Sequence, residues 1–329
     1  MFVCGGVPLV AERLRQLVQR LFAKAPPEPE PEPEPMPEPV PLVRRQLVIG
    51  LGAMKSGTTW LSDYLSSHPQ FFHSPIKEMN VFSSLYPDNP LYPGYIYKPG
   101  HAYRLWRMEK IVLGFGATPP RFEAFAYQRR SFDRLRALAQ LGQIASMDDY
   151  LAFFEERIAD QVHFGEISPS YAHLPAEAYR RMAQLTDDVR FLFVMRDPTD
   201  RAASHLRHTR RRVDKDESLD QLLAGVDPSS AIYIRSDYGY TLRTLRALGL
   251  ENRCKFLIYE DLFTQDCVDA LCDWLGLPRH EAVLDKRLNP GVGDALSAPQ
   301  MAALRERLDP IYEALRHDPA AQSAATWRW

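Results

Sequence analysis

Cysteine is scarce. Cys4, Cys254, Cys267 and Cys272 are the only 4 in 329 residues, and no two have C-x-x-C spacing. That speaks against a disulfide framework and fits a reduced compartment. A dominant charge is lacking too. Lys and Arg number 40 against 42 Asp and Glu, giving a net charge of −2. No general attraction to nucleic acid or acidic membrane follows. No run approaches the roughly 18 apolar residues of a membrane span. The N-terminus has no charged stretch followed by an uninterrupted apolar core, so no secretory signal is read. A cytoplasmic protein is the expectation. The hydrophobic content of 45% is ordinary for a soluble globular chain. The length suits one large α/β domain or two small ones.

What is present begins with an amphipathic stretch. Val10, Leu14, Leu17, Val18 and Leu21 share one face of a helix over residues 7–24. Residues 1–25 therefore read as an N-terminal helix, a candidate for weak peripheral membrane contact. Residues 26–41 alternate Pro with Glu. Proline removes N–H donors and the glutamates repel, so this is an extended, solvated linker. A main folded domain over 42–318 and a loose tail over 319–329 complete the expected organisation.

The chain is organised around Gln46–Pro69, QLVIGLGAMKSGTTWLSDYLSSHP. Leu47, Val48 and Ile49 suit a buried strand, and Gly50, Gly52 and Gly57 break it into a turn. From Thr58 the period becomes helical, with Trp60, Leu61, Tyr64 and Leu65 about one turn apart. Strand, glycine-containing loop and helix in that order make an anion cradle. Loop N–H groups point inward, and the helix N-terminus adds roughly half a positive charge. Lys55 adds a full one. Gly52 and Gly57 have the Walker A separation, but Thr58 and Thr59 stand where that motif has Lys then Ser or Thr. Such a loop suits a phosphate without the usual Lys–Ser pair for a γ-phosphate and Mg²⁺.

Downstream, Phe71 and Phe72 begin a second short strand, and Lys77-Glu78 precedes an apolar patch of Met79, Val81 and Phe82. Residues 84–146 form a loop-rich insert containing Tyr86, Tyr92, Tyr95, Tyr97, Tyr103 and Trp106, suited to stacking on a sugar or ring ligand or to pinning the insert down. Ser146 and Asp149 resemble a capping box for a helix with Leu151, Phe154 and Ile158 on one face. Residues 162–171, VHFGEISPSY, read as a strand and turn. Residues 189–195, VRFLFVM, read as a central parallel strand ending in Arg196-Asp197-Pro198. Arg196 thus falls at a strand's C-terminal end, where open α/β sheets bind ligands. A guanidinium at such a place suits an anionic ligand. A strand-end ion pair with Asp197 or Asp200 is the competing use of Arg196. The basic run at 207–215 reads as a solvated helix end. One helix is expected over 229–248, with Tyr233, Tyr238, Leu242 and Leu245 inward. Another is expected over 299–315.

Several of these stretches resemble the sulfotransferase family, whose members use 3′-phosphoadenosine 5′-phosphosulfate (PAPS). KSGTTW, Lys55–Trp60, resembles the family's 5′-phosphosulfate loop. RDPTDRAAS, Arg196–Ser204, resembles its 3′-phosphate motif. The segment around Lys77-Glu78 resembles the K-E-x-x-F-F element of carbohydrate sulfotransferases, and residues 165–171 its G-E-x-[ST]-P-x-Y element. In the heparan-sulfate branch a lysine follows that glutamate. Ile167 stands there instead, which weighs against a heparan-type acceptor. Golgi members carry a membrane anchor, so a cytoplasmic enzyme of bacterial type fits better.

The resemblance covers roughly 42–315. It implies an α/β fold of the three-layer α/β/α P-loop type with a mostly parallel central sheet. It implies sulfuryl transfer from PAPS to a hydroxyl or amine of a carbohydrate or small molecule, with no metal and no nucleic-acid partner. By resemblance, Lys55, Ser56, Gly57, Thr58, Thr59 and Trp60 hold the 5′ end of the nucleotide, and Arg196 and Ser204 hold the 3′-phosphate. Tyr238, with Arg235, and the basic loop residues Lys286 and Arg287 are further cofactor candidates. Glu78 is the candidate base, and Glu166 orients the acceptor or the loop. The competing readings are a P-loop nucleotide or small-molecule kinase using ATP and Mg²⁺, and a non-catalytic nucleotide-binding scaffold.

Overall fold

Leu47, Val48, Ile49 and Leu51 are each at most 1% exposed. A segment dry on both faces, with side chains alternating between them, is what a central strand requires. It forms β1 (Gln46–Gly52). Leu47, Ile49 and Leu51 pack on one side with Phe191, Phe193 and Met195. Val48 packs on the other with Ile167, Leu192 and Val194. The structure, a computed structural model, describes residues 40–86, 133–134, 136–210, 218–284 and 295–329. All lie within one compact unit, Val40–Trp329. The expected N-terminal helix, nearly all of the linker, most of the 84–146 insert, and Lys286 and Arg287 lie outside the described residues.

In chain order the principal elements are β1, α1 (Thr58–Ser67), β2 (Phe71–His73), α2 (Val81–Leu85), α3 (Met147–Glu155), β3 (His163–Ile167), α4 (Ala176–Met182), β4 (Asp188–Met195), α5 (Pro198–Arg210), α6 (Leu219–Ala224), α7 (Ala231–Ile234), α8 (Tyr238–Ala247), β5 (Cys254–Ile258), α9 (Gln265–Leu275), α10 (Ala298–Arg307) and α11 (Asp309–Leu315). The sheet order is β2-β3-β1-β4-β5, and every pairing is parallel. Helices cover both faces. Trp60, Leu61, Tyr64 and Leu65 of α1 and Val268, Leu271 and Leu275 of α9 share one core. Ala202 and Leu206 of α5, Leu242 and Leu245 of α8, and Ile311 and Leu315 of α11 share the other. This is the expected three-layer α/β/α arrangement. Each large apolar side chain so buried contributes about 1.5–3 kcal/mol relative to exposure.

The strand order positions the site. After β1 the chain builds β3 and β2 on one side, then crosses to add β4 and β5 on the other. The reversal opens a crevice beyond the C-terminal ends of β1 and β4. The loop after β1 and the Arg196 turn after β4 both emerge there. Ala53 N donates to Val194 O at 2.8 Å, extending the strand pairing into the loop.

Four local readings are corrected. The single helix expected over 229–248 is two, α7 and α8, broken at Ser236–Asp237. The break lets Ser236 Oγ accept from Arg201 Nε at 2.8 Å. The helix expected over 299–315 is also two, because Pro310 has no N–H to continue the ladder and starts α11 instead. The buried face of α3 is Tyr150, Phe153 and Phe154, while Leu151 and Ile158 are only partly buried. Ser146 does cap that helix, accepting from Asp149 N. Finally, the tail expected to be loose is packed: Ala321, Ala324 and Trp327 are buried.

Gly57 caps α1 with φ 78, a left-handed value that costs any residue with a Cβ. An added Cβ would also sit 3.1 Å from Tyr259 and Leu262 side-chain carbons. Gly57→Ala should therefore lower stability by about 1–2 kcal/mol, read as a fall of several degrees in thermal unfolding.

Candidate active site

The loop from Ala53 to Gly57 joins the buried end of β1 to α1. Ser56 N closes it on Ala53 O at 3.3 Å, and Trp60 N begins the helical ladder on Gly57 O at 2.9 Å. The N–H groups of Gly57, Thr58 and Thr59 precede that ladder and face the loop's concave side, as at any helix start. Lys55 has φ 71, a left-handed turn within the cradle. Donors and helix dipole thus converge at the sheet's C-terminal edge, with Lys55 in the same loop.

Arg196 meets this loop directly. Its Nη1 donates to Lys55 O at 3.3 Å, and its guanidinium lies over the Tyr259 ring, 4.3 Å from the centroid. Nε is buried without a partner among the described residues. The competing ion pair is absent. Asp197 and Asp200 turn instead to Arg328, at 2.9 and 3.0 Å. Tyr238 is fully buried, and its hydroxyl donates to Arg196 O at 2.8 Å. Burial pushes that phenol up to about 12, so it stays a neutral donor that braces the turn.

Behind the loop lie more cations. Arg201 of α5 is 0% exposed, yet it bonds only neutral groups: Ser236 Oγ at 2.8 Å, Ile232 O at 2.6 Å and Met54 O at 3.5 Å. Burial is the main reason its pKa falls to about 10. His205, one turn on, lies 3.2 Å from Arg235 Nη1. Its pKa is pushed down to about 2, by burial first and then by the charges of Arg201, Arg235, His208 and Lys55. Burial alone would hold this imidazole neutral, and the neighbouring cations reinforce that. Such a cluster of cations is costly unless an anion answers it.

On the other side of the crevice stands Glu78, with φ 52 and a side chain 39% exposed. Lys77 Nζ bonds Thr59 Oγ1 at 2.7 Å and lies 4.0 Å from Glu78 Oε1. One lysine therefore links the glutamate to the start of α1. Beneath it, Glu166 is buried and accepts from Ser168 Oγ and Tyr171 Oη, both at 2.6 Å, and from Met79 N. Ser168 Oγ in turn accepts from Asn80 N at 3.0 Å, and Ser170 Oγ donates to Asn80 Oδ1 at 2.7 Å. The G-E-x-S-P-S-Y segment thus grips the residues that follow Glu78. Glu166 orients this loop and, being buried, does not face an acceptor.

A model of the sulfotransferase family matches residues 48–281. The chain belongs to the sulfotransferase family. Among solved structures, a sulfotransferase from Alicyclobacillus acidocaldarius matches with a TM-score of 0.52 and 18% identity, over 82% of this chain and 93% of that one. The sulfotransferase domain of the olefin synthase of Synechococcus PCC 7002 matches with a TM-score of 0.46 and 18% identity, over 87% and 99%. At such identities the first likeness speaks for the fold alone. No curated protein matches the chain.

In this sulfotransferase Lys55, Ser56, Gly57, Thr58, Thr59 and Arg196 gather at one crevice, with Ser204 half-buried two turns into α5. Trp60 does not join them. Its indole stacks on Tyr64 at 5.9 Å, and Nε1 donates to Val283 O at 3.3 Å, so it anchors α1 to the core. Tyr238 touches Arg196's backbone and acts through it. Sequence reading missed the parts played by Lys77, Arg201, His205 and Tyr259. Arg201 could have been found, since it lies inside RDPTDRAAS on the same helix as Ser204. Tyr259 carries no such signal.

Burial is the largest influence on Glu166, raising its carboxyl to about 7 despite its three hydrogen bonds. A carboxyl raised on folding adds stability that is full below its unfolded pKa and is lost as pH climbs through the folded one. Urea unfolding should therefore show the wild type losing stability between pH 5 and 8 relative to Glu166→Gln, by at most about 3 kcal/mol. A difference that does not vary with pH would refute this ionisation.

Proposed function

We propose that this sulfotransferase moves a sulfuryl group from PAPS to a hydroxyl or amine of a carbohydrate or small-molecule acceptor, releasing PAP. The observation that carries the reading is the contact of Arg196 Nη1 with Lys55 O at 3.3 Å. It makes the strand-end loop and the arginine turn two walls of one anion crevice, matched to a nucleotide phosphorylated at both ends. The residues fit such a ligand: helix-start donors and an ammonium on one wall, a guanidinium with an orphaned Nε on the other.

PAPS, when bound, supplies the SO₃ group and a 5′-phosphate leaving group. Lys55 and the N–H groups of Gly57, Thr58 and Thr59 stabilise charge gathering on that phosphate, and a donor so placed is typically worth about 3 kcal/mol. Arg196, with Ser204 behind it, holds the 3′-phosphate and sets the nucleotide's register. Glu78, presented at the crevice by the Glu166 brace, takes the acceptor's proton. Lys77 bridges Glu78 and Thr59, so base and cradle keep a fixed separation. Lys286 and Arg287 would add charge over the nucleotide. Cys254, Cys267 and Cys272 are free thiols, which supports a cytoplasmic setting. No described helix is long and apolar enough to cross a membrane.

Three measurements test this. Calorimetry should give tight PAP binding and weak ATP binding; the reverse would favour the kinase. Lys55→Ala should cut kcat about 10²–10³-fold, and Glu78→Gln about 10²–10⁴-fold, in a labelled-PAPS assay. Arg196→Ala should weaken PAP by roughly 1.5–3 kcal/mol while leaving adenosine 5′-phosphosulfate, which lacks the 3′-phosphate, much less affected. Equal losses would remove the 3′-phosphate assignment.

A further inference from the structure

Three acids crowd the turn that carries Arg196: Asp197, Asp200 and Glu260. A site built for a phosphate dianion gains nothing from carboxylates beside it, and a free one would compete for the guanidinium. Each acid is engaged elsewhere. Asp197, only 2% exposed, accepts at Oδ1 from Arg328 Nη1 at 2.9 Å and Asp200 N at 3.0 Å. Its Oδ2 accepts from Arg328 N at 2.9 Å and Tyr312 Oη at 2.8 Å. Asp200 pairs with the same Arg328 Nη1 at 3.0 Å. Glu260 Oε1 accepts from Asp197 N at 3.1 Å, and its Oε2 from Trp327 Nε1 at 3.0 Å.

The 327–329 segment is thus seated on these acids rather than merely near them. Trp327 is 5% exposed. Its ring lies 6.2 Å from Tyr238, whose hydroxyl holds Arg196 O, and 5.5 Å from Trp329. Trp329 in turn meets Tyr312, the second donor to Asp197. Backbone, guanidinium and indole all act on the acid side of the turn, while Arg196 faces the opposite way, toward Lys55 and Tyr259. Among the described residues, no carboxylate pairs with Arg196.

We propose that Arg328, seated by Trp327, is a positioning residue of the 3′-phosphate site: it claims Asp197 and Asp200 so that Arg196 is left for the phosphate. This rests on the PAPS reading above. The segment contacts no reacting atom. It acts through charge, by neutralising the two acids, and through geometry, by fixing the carboxylate of Asp197 away from the crevice.

Calorimetry on the full chain with PAP and with adenosine 5′-phosphosulfate tests the idea, with thermal unfolding run alongside. Arg328→Ala should weaken PAP roughly tenfold, the scale expected when one unit charge near an anion site is lost, and should affect adenosine 5′-phosphosulfate much less. Arg328→Lys should restore most of the affinity. Arg328→Ala combined with Asp197→Asn should recover a large part of the lost PAP affinity, because the more deeply buried of the two acids needing control is gone. PAP affinity unchanged in Arg328→Ala would overturn the proposal, as would a double variant no better than the single one. Should Arg328→Ala fail to fold, Asp197→Asn alone decides: it binds PAP at least as tightly as wild type, and weaker binding overturns the role. A wild-type chain that does not bind PAP would overturn the proposed function instead.

Discussion

Everything at the site depends on two parallel strands ending side by side. β1 and β4 are hydrogen-bonded neighbours, and the pairing runs past the sheet through Ala53 N to Val194 O. The loop that follows one strand and the arginine that follows the other are therefore set at a fixed offset by sheet geometry, not by side-chain chance. The bond from Arg196 Nη1 to Lys55 O is the last rung of that arrangement. Close packing of both faces makes it stiff. A shift of either strand along its axis would have to drag buried Phe191, Phe193 and Val194 past their neighbours.

Charge is sorted around this frame with equal consistency. Lys55 and Arg196 stand at the crevice, and behind the loop lie Arg201, Arg235 and a histidine kept neutral by burial first and by these charges second. Carboxylates are kept behind the turn, or, for Glu166, sunk into a hydrogen-bonded pocket. Glu78 stands at the crevice with its side chain 39% exposed, and it is the carboxylate to which the proposed function gives the acceptor's proton. Arg201 shows the cost of this sorting, since burying a guanidinium among neutral oxygens alone is unfavourable.

Much of this was legible in the sequence. β1 and β4 were visible as apolar runs, because a strand buried on both faces has little room for polar residues. The cradle was visible because a tight strand-to-helix turn needs glycine at Gly57, where φ is 78. Arg196 could be placed at a strand end from the run that precedes it. What stayed hidden depends on contacts between distant residues. Nothing in the spacing of Trp60 says that it turns inward to Val283, or that Tyr238 meets the backbone carbonyl of Arg196. The 327–329 segment read as loose because a short Trp-Arg-Trp run has no periodicity, and only the buried acids it meets give it order. Helix breaks at Ser236 and Pro310 were likewise masked by apolar spacing that continues across them.

Lys55 and Glu78 share a further trait: both sit at positive φ with a full side chain, as does Asn80. Asparagine tolerates that region, but lysine and glutamate hold it at a cost of order 1–2 kcal/mol each. Glycine would relax either position and delete the group that gives it a purpose. On the proposed function, the two loops therefore carry a thermodynamic handicap that only removal of these side chains would lift. Any gain in heat tolerance has to be won in remote parts of the molecule, and a variant stabilised by smoothing these two turns would be a sturdier protein with nothing left to do.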